Sequence, residues 1–403
     1  TGVGAAKTMP EPQRFLYFMS DDPEPVHGGS SLWDTTLPLD RYPKPCPEVP
    51  PAGENLTYGD YFEAVSTFID THLSDFIPNA LFHFLNRIVD PQEISRIHIH
   101  LEKHGAFYHP ARIILFLPDC QIALVANVAV SSAGKDLIRN EFRLLGQLAK
   151  RISPGWLPRV FGCDKARIDN HRHVLVFVGE WFEGFHEFHV SGKTGQSETN
   201  IRVWDPNNEN LFLTRHQTQH IFEQAAMILT AIYDITTIKQ ISAWHHAAGD
   251  FVVCLGQDIP SVKLITVRAY EPLFNMSGMS VELETILNTL LIFYLNPTLR
   301  LRIDRKDGIG GMVWIEGSIV PAITRGFFKG LSLQTENTII PVELIDAFKT
   351  FLSSIPKLDI REIFLGIVNK IDPKSPDLPL VKKNFDKHVE TVLSEREQMK
   401  RLM

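Results

Sequence analysis

Cysteine is scarce in this chain of 403 residues, and its four cysteines, Cys46, Cys120, Cys163 and Cys254, form no CxxC pair. Disulfide frameworks and thiolate zinc sites both need cysteines in larger or more closely spaced sets. The sequence therefore predicts neither kind of site, and it favours a reducing compartment. The first residues, TGVGAAKTMPEPQ, also lack the basic and then apolar order of a secretory signal, so we expect a cytoplasmic protein.

Long apolar runs and an excess of positive charge are missing as well. No stretch approaches the roughly 18 to 20 apolar residues of a membrane-spanning helix. The 40 Lys and Arg residues stand against 47 Asp and Glu residues, which gives a formal charge of -7 and disfavours binding to nucleic-acid phosphates or anionic membranes. Because 44% of the residues are apolar, we expect a globular protein whose partners are neither nucleic acids nor membranes.

The chain starts with a segment that lacks a periodic apolar pattern. Residues 10–53 contain ten prolines, and proline favours extended and turn conformations. Residues 1–57 are therefore predicted to form an extended arm on the surface. From Tyr58 onward, apolar residues recur at spacings of three and four, which predicts a helical extension over residues 58–93 that breaks or restarts at Pro78.

Residues 94–182 change to the period of two that is typical of strands. The short apolar runs RIHIHLEKHG, ARIILFLP, QIALVANVAV and HVLVFVGEW are bounded by turn residues, and one helix around Glu141 interrupts them. This pattern predicts a small, mostly antiparallel sheet crossed by one helix.

Residues 183–403 are predicted to be mainly helical, with one hairpin formed by DFVVCLG and SVKLITVRAY. The helical stripes cover residues 214–233, 281–295, 341–352, 360–371 and 380–403. A small sheet lobe followed by a larger helical lobe gives an α+β fold class.

Four segments in this order carry a further signal. They are LVANVAVSSAGKDLIRNEFRLLGQL, VLVFVGEWFEG, AWHHAAGDFVVCL and SVKLITVRAY. They resemble the third strand with its following helix, the hinge, the catalytic loop and the metal-binding strand of the protein-kinase-like superfamily, especially of aminoglycoside phosphotransferases and choline kinases. The resemblance covers roughly residues 94–298 and implies a two-lobed kinase-like fold.

Several charged groups that carry phosphoryl transfer in this family are replaced here. The strand lysine that holds the nucleotide phosphates corresponds to Asn127, and the metal-binding aspartate corresponds to Thr266. The aspartate and the asparagine of the catalytic loop correspond to His245 and Asp250, and the glycine of the metal-binding motif corresponds to Arg268. The first hairpin also lacks a GxGxxG loop. The resemblance therefore implies a pseudokinase.

The same resemblance assigns candidate catalytic residues. Glu141 stands at the position of the family's helix glutamate, while His245, His246 and Asp250 lie in the segment WHHAAGD of the catalytic loop. A histidine could accept a proton, and Asp250 could bind a divalent metal ion. The alternative is that the two histidines are structural hydrogen-bonding groups.

Candidate ligand-binding residues lie in the sheet lobe and on the metal-binding strand. Lys103, His104 and His109 occupy the hairpin LEKHGAFYHP, where the family's phosphate-covering loop stands, and such cations could bind an anionic ligand. The alternative is a solvated hairpin tip. The other candidate positions for nucleotide binding are Asn127, Glu180, Trp181 and Thr266.

A third cluster, GFHEFHV, places His186 and His189 three residues apart. On a helix the two imidazoles would share a face and could bind a metal ion, whereas on a strand they would point to opposite sides. The spacing is not HExxH, so a structural or cleft-rim role is favoured.

Three hypotheses for function follow. The first is a pseudokinase-like protein without standard phosphotransfer, which binds a ligand or partner in the cleft between its lobes. The second is an active, atypical ATP-dependent phosphotransferase or other transferase with a rearranged cleft, and the third is a metal-dependent hydrolase that uses clustered histidines. The cofactor stays open, with a nucleotide and a divalent metal ion as candidates. The partner is an unknown protein or a small anionic ligand, and oligomer formation is compatible with each hypothesis.

Overall fold

A computed structural model describes residues 14–20, 22–38, 55–105, 107–152, 155–192, 199–208, 211–242, 244–256, 259–274, 282–337 and 340–402. These residues form a mixed α+β structure, which confirms the predicted fold class. The chain divides into two compact units. Unit 1 comprises Thr1–Gly146 and Pro158–Glu183, and unit 2 comprises Gln147–Leu157 and Gly184–Met403. None of the helices in the described ranges is long and apolar enough to cross a membrane.

Unit 1 is built on a six-stranded sheet. The strands are β1 (Phe15–Met19), β2 (Arg96–Leu101), β3 (His109–Phe116), β4 (Gln121–Ala129), β5 (Val160–Arg167) and β6 (His173–Glu180). They lie in the order β1-β2-β3-β4-β6-β5, and all neighbours are antiparallel except β1 and β2. The antiparallel sheet predicted for residues 94–182 is thus present, and the predicted helix is α3 (Ser132–Arg151), which follows β4.

Two helices, α1 (Tyr58–Thr71) and α2 (Phe76–Leu85), form where the apolar spacing predicts them. Their aromatic side chains and the buried face of the sheet belong to one core cluster. Along β3, for example, alternate residues are buried, because successive side chains of a strand point to opposite faces. Burial against the sheet, and not helix propensity alone, therefore stabilises these two helices.

The break between α1 and α2 differs from the prediction. It falls between the two helices, whereas Pro78 lies in the first turn of α2. A proline is tolerated there because the N–H groups of a first turn have no intrahelical partner. At the start of α1 the Thr57 hydroxyl accepts from the Asp60 N–H at 3.0 Å, and the Asp60 carboxylate accepts from the Thr57 N–H at 3.1 Å. This capping box fixes where the helix begins.

Part of the segment predicted to be a surface arm belongs to the sheet instead. Strand β1 pairs in parallel with β2, and Phe18 is buried with its ring stacked 4.6 Å from that of His100. The sequence conceals this strand because five residues at a sheet edge show little periodicity and prolines flank it on both sides. The predictions for residues 1–13 and 39–54, Cys46 among them, fall outside the described residues.

The described ranges of unit 2 contain six helices. They are α4 (Arg215–Ile232), α5 (Leu283–Arg300), α6 (Val320–Glu336), α7 (Glu343–Ser354), α8 (Lys357–Val368) and α9 (Asp377–Leu402). Five of them lie at the predicted helical stripes, and α6 was not predicted.

Four antiparallel strand pairs accompany the helices. They are β7 (Phe188–Gly192) with β8 (Thr199–Val203), β9 (Lys239–Ile241) with β12 (Tyr270–Pro272), β10 (Phe251–Leu255) with β11 (Pro260–Leu264), and β13 (Ile303–Arg305) with β14 (Met312–Trp314). The predicted hairpin is present as β10 and β11, and the other three strand pairs were not predicted. Strands β9, β12, β13 and β14 have only three residues each, too few to display a period of two.

Helix α6 escaped prediction because glycines interrupt its apolar pattern. Gly326 and Gly330 lie one turn apart and face α4. A Cβ atom on Gly326 would overlap the Glu223 carbonyl oxygen, and one on Gly330 would overlap the side chain of Thr230. Glycine lowers helix propensity, but it allows two helix backbones to approach closely. Packing against α4 thus overrides the local preference.

We expect Gly326→Ala to destabilise the protein by about 1 to 3 kcal/mol, because the new methyl group forces α4 and α6 apart. The matched control is Gly366→Ala in α8, where a Cβ atom meets nothing within 4 Å. That substitution should stabilise the protein by about 0.4 to 1 kcal/mol, through lower entropy of the unfolded chain. Denaturant unfolding of both variants measures the two signs, and a stabilising Gly326→Ala would contradict the close helix contact.

Candidate functional site

The segment WHHAAGD forms a tight turn that leads into β10. The His245 Nδ1 atom accepts from the Ala247 N–H at 3.1 Å, and residues His246–Ala248 form one turn of 3-10 helix. Gly249 follows with a φ of 71°, in the left-handed region that favours glycine. A Cβ atom there would also overlap the carboxyl group of Glu187. The local geometry therefore needs glycine at this position.

Asp250 closes the turn with a buried ion pair. Its carboxylate accepts from Arg268 Nη1 at 2.9 Å and from Arg268 Nη2 at 2.8 Å. It also accepts from the His245 N–H at 2.8 Å. The Asp250 side chain is 2% exposed, so its charge is balanced by the guanidinium and not by water. Bidentate pairs of this kind are the stronger class of charge-assisted hydrogen bond.

His245 is held through both ring nitrogens. Because Nδ1 accepts from the backbone, Nε2 carries the proton and donates to Asp377 at 2.8 Å. Burial opposes ionisation of Asp377, yet the hydrogen bond from His245 holds the pKa of this carboxyl below its ordinary value. The proton-accepting atom expected of a general base is thus occupied by the backbone of the same turn.

The neighbouring histidine belongs to a second buried cluster around Asp304. His246 Nε2 lies 3.5 Å from Asp304 Oδ2, and His189 Nδ1 lies 2.9 Å from Asp304 Oδ1. The Asp304 carboxylate also accepts from the Val190 N–H at 2.6 Å. On its other side, His189 Nε2 lies 3.4 Å from the Glu187 carboxylate. We call Glu187, His189, His246 and Asp304 the Asp304 cluster.

The carboxylates of the Asp304 cluster keep His189 protonated. Burial favours the neutral imidazole, but the hydrogen bonds to Asp304 and Glu187 outweigh it and raise the pKa of His189 to about 9. Burial likewise opposes ionisation of Asp304, and the two histidines hold its pKa well below the usual range. The cluster is therefore a buried ion pair at neutral pH.

The histidine pair of GFHEFHV does not act as a unit. His186 Nε2 lies 3.8 Å from Asp205 Oδ1, whereas His189 points to Asp304. Across the described ranges, no group of three or more His, Cys, Asp or Glu side chains is arranged to hold a metal ion. Each of the two imidazoles thus has a carboxylate of its own as neighbour.

In unit 1 the predicted cationic hairpin packs against helix α1. His104 Nε2 lies 3.0 Å from the Tyr58 hydroxyl, and His104 Nδ1 lies 3.2 Å from Nδ1 of His109. The Gly105 N–H donates to the Tyr108 carbonyl at 3.2 Å and closes the turn. Lys103 precedes His104 and is exposed. His104 therefore has a structural partner within unit 1.

The remaining predicted positions are distributed over both units. Asn127 pairs with Phe177 across β4 and β6, and Glu141 of α3 is fully buried. Glu180, at the end of β6, accepts from the Arg159 N–H at 3.2 Å. Trp181 lies under the Arg112 guanidinium, 5.4 Å from the ring centroid. Thr266, in unit 2, is buried after β11.

Sequence reasoning missed the carboxylates that hold the two histidines of the loop. Asp304 and Asp377 lie 59 and 132 residues beyond His245, and neither stands in a spacing that predicts a contact. In the sequence, Arg268 stands out only as the replacement of a glycine in the metal-binding motif. Its contact with Asp250 is what joins the two predicted motif segments in space.

Comparison of the whole chain with protein-family models and with curated proteins finds no match in either set.

Replacing Asp250 by Asn should cost about 1 to 3 kcal/mol of unfolding free energy, because it weakens the charge-assisted hydrogen bonds that the buried carboxylate accepts from Arg268 and from the His245 N–H. The matched control is Asp136→Asn, which breaks an exposed pair with Arg139 and should have a far smaller effect. Denaturant titrations of the two variants give the comparison. Equal costs at the two positions would mean that the Asp250 pair is not buried as described.

His189 predicts a specific pH dependence of stability. Its folded pKa of about 9 exceeds the ordinary value of 6.5, so its contribution is complete below about pH 6.5 and is lost as the pH rises through about 9. The difference in unfolding free energy between the natural protein and His189→Gln should therefore shrink by about 3 kcal/mol over this range. His216→Gln, at an exposed histidine, is the control and should give a flat difference. A difference that grows with pH would contradict the assignment.

Proposed function

We propose that this chain is a pseudokinase-like protein that has no standard phosphotransfer activity and acts by binding a ligand or a protein partner. The observation that carries the proposal is the bidentate ion pair between Asp250 and Arg268. According to the resemblance, Asp250 corresponds to the metal-binding asparagine of the family's catalytic loop, and Arg268 corresponds to the glycine of its metal-binding motif. Here a guanidinium neutralises the carboxylate that a metal ion would need.

The charge requirements of phosphoryl transfer support this proposal. The reaction depends on metal ions and basic groups placed around the transferring phosphate. Thr266 offers no carboxylate and Asn127 offers no positive charge at the corresponding positions, and the Asp250 carboxylate already accepts three hydrogen bonds. Three elements of the phosphoryl-transfer site are thus replaced together.

Local connectivity supports the kinase-like assignment. The third strand of the antiparallel part, β4, is followed by α3 with buried Glu141, and β6 returns beside β4 and ends at Glu180. In unit 2, β10 and β11 pair so that the Ile265 N–H donates to the Asp250 carbonyl. Unit 1 ends at Glu183, soon after Glu180 and Trp181 of the hinge-like segment VLVFVGEWFEG. This boundary is consistent with the proposed two-lobed organisation.

The two alternative hypotheses receive unequal support. A metal-dependent hydrolase would need a set of ligands, and the described residues contain no such group of His, Cys, Asp and Glu. An atypical transferase would use His245 or Asp250 directly, although both side chains are bound to other residues of unit 2. The experiment below distinguishes that transferase from the pseudokinase.

A cytoplasmic location is part of the proposal. Cys120, Cys163 and Cys254 are free thiols in the described residues. Unpaired cysteines are typical of compartments in which glutathione and thioredoxin keep thiols reduced.

Magnesium should not strengthen nucleotide binding by this protein. We expect calorimetric titrations of ATP with and without Mg²⁺ to give the same weak affinity or no heat, because the Asp250 carboxylate is paired with Arg268 and does not reach the metal ion. A phosphate-release assay under the same conditions should show no turnover. A melting curve of the same sample verifies that the protein is folded.

Two variants define the result that would contradict the proposal. Micromolar Mg²⁺-dependent ATP affinity, lost in Asp250→Asn and retained in the exposed-site control Glu271→Gln, would contradict the pseudokinase proposal. Turnover on a small-molecule hydroxyl in addition would establish the atypical transferase.

A further inference from the structure

Unit 1 contains a cavity of about 210 Å³ that none of the predicted site residues lines. Strand β1, the following loop and helix α1 line this surface cavity, with Tyr17, Val26, Trp33 and Glu63 among the lining residues. An apolar cavity of about 150 Å³ is large enough to hold benzene. The cavity therefore has room for a small organic group.

Two of its walls are aromatic and inclined to each other. The rings of Tyr17 and Trp33 have centroids 5.4 Å apart and planes at 55°, and Phe62 lies behind Tyr17 at 5.1 Å. Phe15 adds a further ring to the lining. Aromatic faces carry negative electrostatic potential and attract cations, so tilted rings around one volume favour a positively charged guest.

A carboxylate completes the lining. Glu63 is exposed on α1, and among the residues that the structure describes no basic side chain forms an ion pair with it. Burial and the nearby Glu63 charge raise the pKa of Tyr17, against the effect of its hydrogen bond to Ser66. Tyr17 is therefore neutral, and Glu63 is the one carboxylate among the lining residues, which also include the imidazole of His27. An anionic guest is disfavoured on that ground.

The aromatic walls are fixed before any ligand arrives. The backbone N–H of Trp33 donates to Ser30 Oγ at 3.3 Å, and the backbone carbonyl of Trp33 accepts from the Gly59 N–H at 2.9 Å. Gly59 leaves no room for a Cβ atom beneath the indole, and the Tyr17 hydroxyl donates to Ser66 Oγ at 3.3 Å. Such pre-organisation lowers the entropy cost of binding.

We propose that this cavity binds an alkylammonium group, most favourably a methylated one. The methyl groups would pack on the rings and on Val26, while the positive charge would face the aromatic surfaces and Glu63. A bare metal ion fits less well, since it needs several oxygen ligands and the lining offers one carboxylate. The site lies within unit 1 and does not depend on the pseudokinase proposal.

The test is a calorimetric titration of the full chain with tetramethylammonium chloride, with ionic strength held constant by sodium chloride. We expect a dissociation constant of about 1 mM or tighter. The neutral isostere neopentyl alcohol should bind about tenfold more weakly, because it lacks the charge that the rings and Glu63 recognise. Equal binding of the two probes, or no binding of tetramethylammonium, would overturn the proposal.

Variants locate the site. Glu63→Gln should weaken tetramethylammonium binding by about tenfold, and Trp33→Leu should abolish it. Glu24→Gln, at an exposed acid of the neighbouring loop, is the matched control and should bind like the natural protein. If Trp33→Leu does not fold, Glu63→Gln still decides, because it changes an exposed side chain. Unchanged affinity in Glu63→Gln would place the binding elsewhere and overturn the proposal.

Discussion

The ion pair between Asp250 and Arg268 is the constraint on which the candidate site depends. It joins the turn WHHAAGD to the chain that leaves β11, and the same carboxylate fixes the His245 N–H. A carboxylate this deeply buried needs a partner, and Arg268 supplies it. The pair thus gives a physical reason why the turn WHHAAGD keeps its shape.

The Asp304 cluster likewise depends on a buried carboxylate and the side chains that surround it. His189 and His246 come from different segments, and one buried carboxylate at the start of β13 holds both of them. Arg300, at the end of the preceding helix α5, packs over the Trp244 ring at 4.4 Å and donates to the carbonyl of Ser242 at 2.9 Å. Charged groups of unit 2 thus hold the turn, and within it His245 donates to Asp377 while the ring of His246 lies beside Asp304.

Local signals in the sequence predicted the elements, and contacts between distant segments explain what they missed. Strands β2, β3, β4 and β6 and helix α4 follow from periodicity, which acts over a few residues, whereas β1 and β5 were not predicted. Helix α6 was hidden by Gly326, whose reason lies in the packing of α4. The residues WHHAAGD were identified as a loop, but their partners Asp304 and Asp377 lie far along the chain. No spacing rule connects such groups, so the charged partners of the two histidines could be identified only from the folded structure.

The central claim is that Arg268 occupies the position a metal ion would take beside Asp250. A crystal of the protein grown with ATP and Mn²⁺, measured at a wavelength where manganese scatters anomalously, tests this directly. The account predicts no anomalous peak at Asp250 and an Arg268 guanidinium within hydrogen-bonding distance of both carboxylate oxygens. A manganese peak at about 2.2 Å from the Asp250 carboxylate, with Arg268 displaced, would contradict it and restore this site to metal-dependent chemistry.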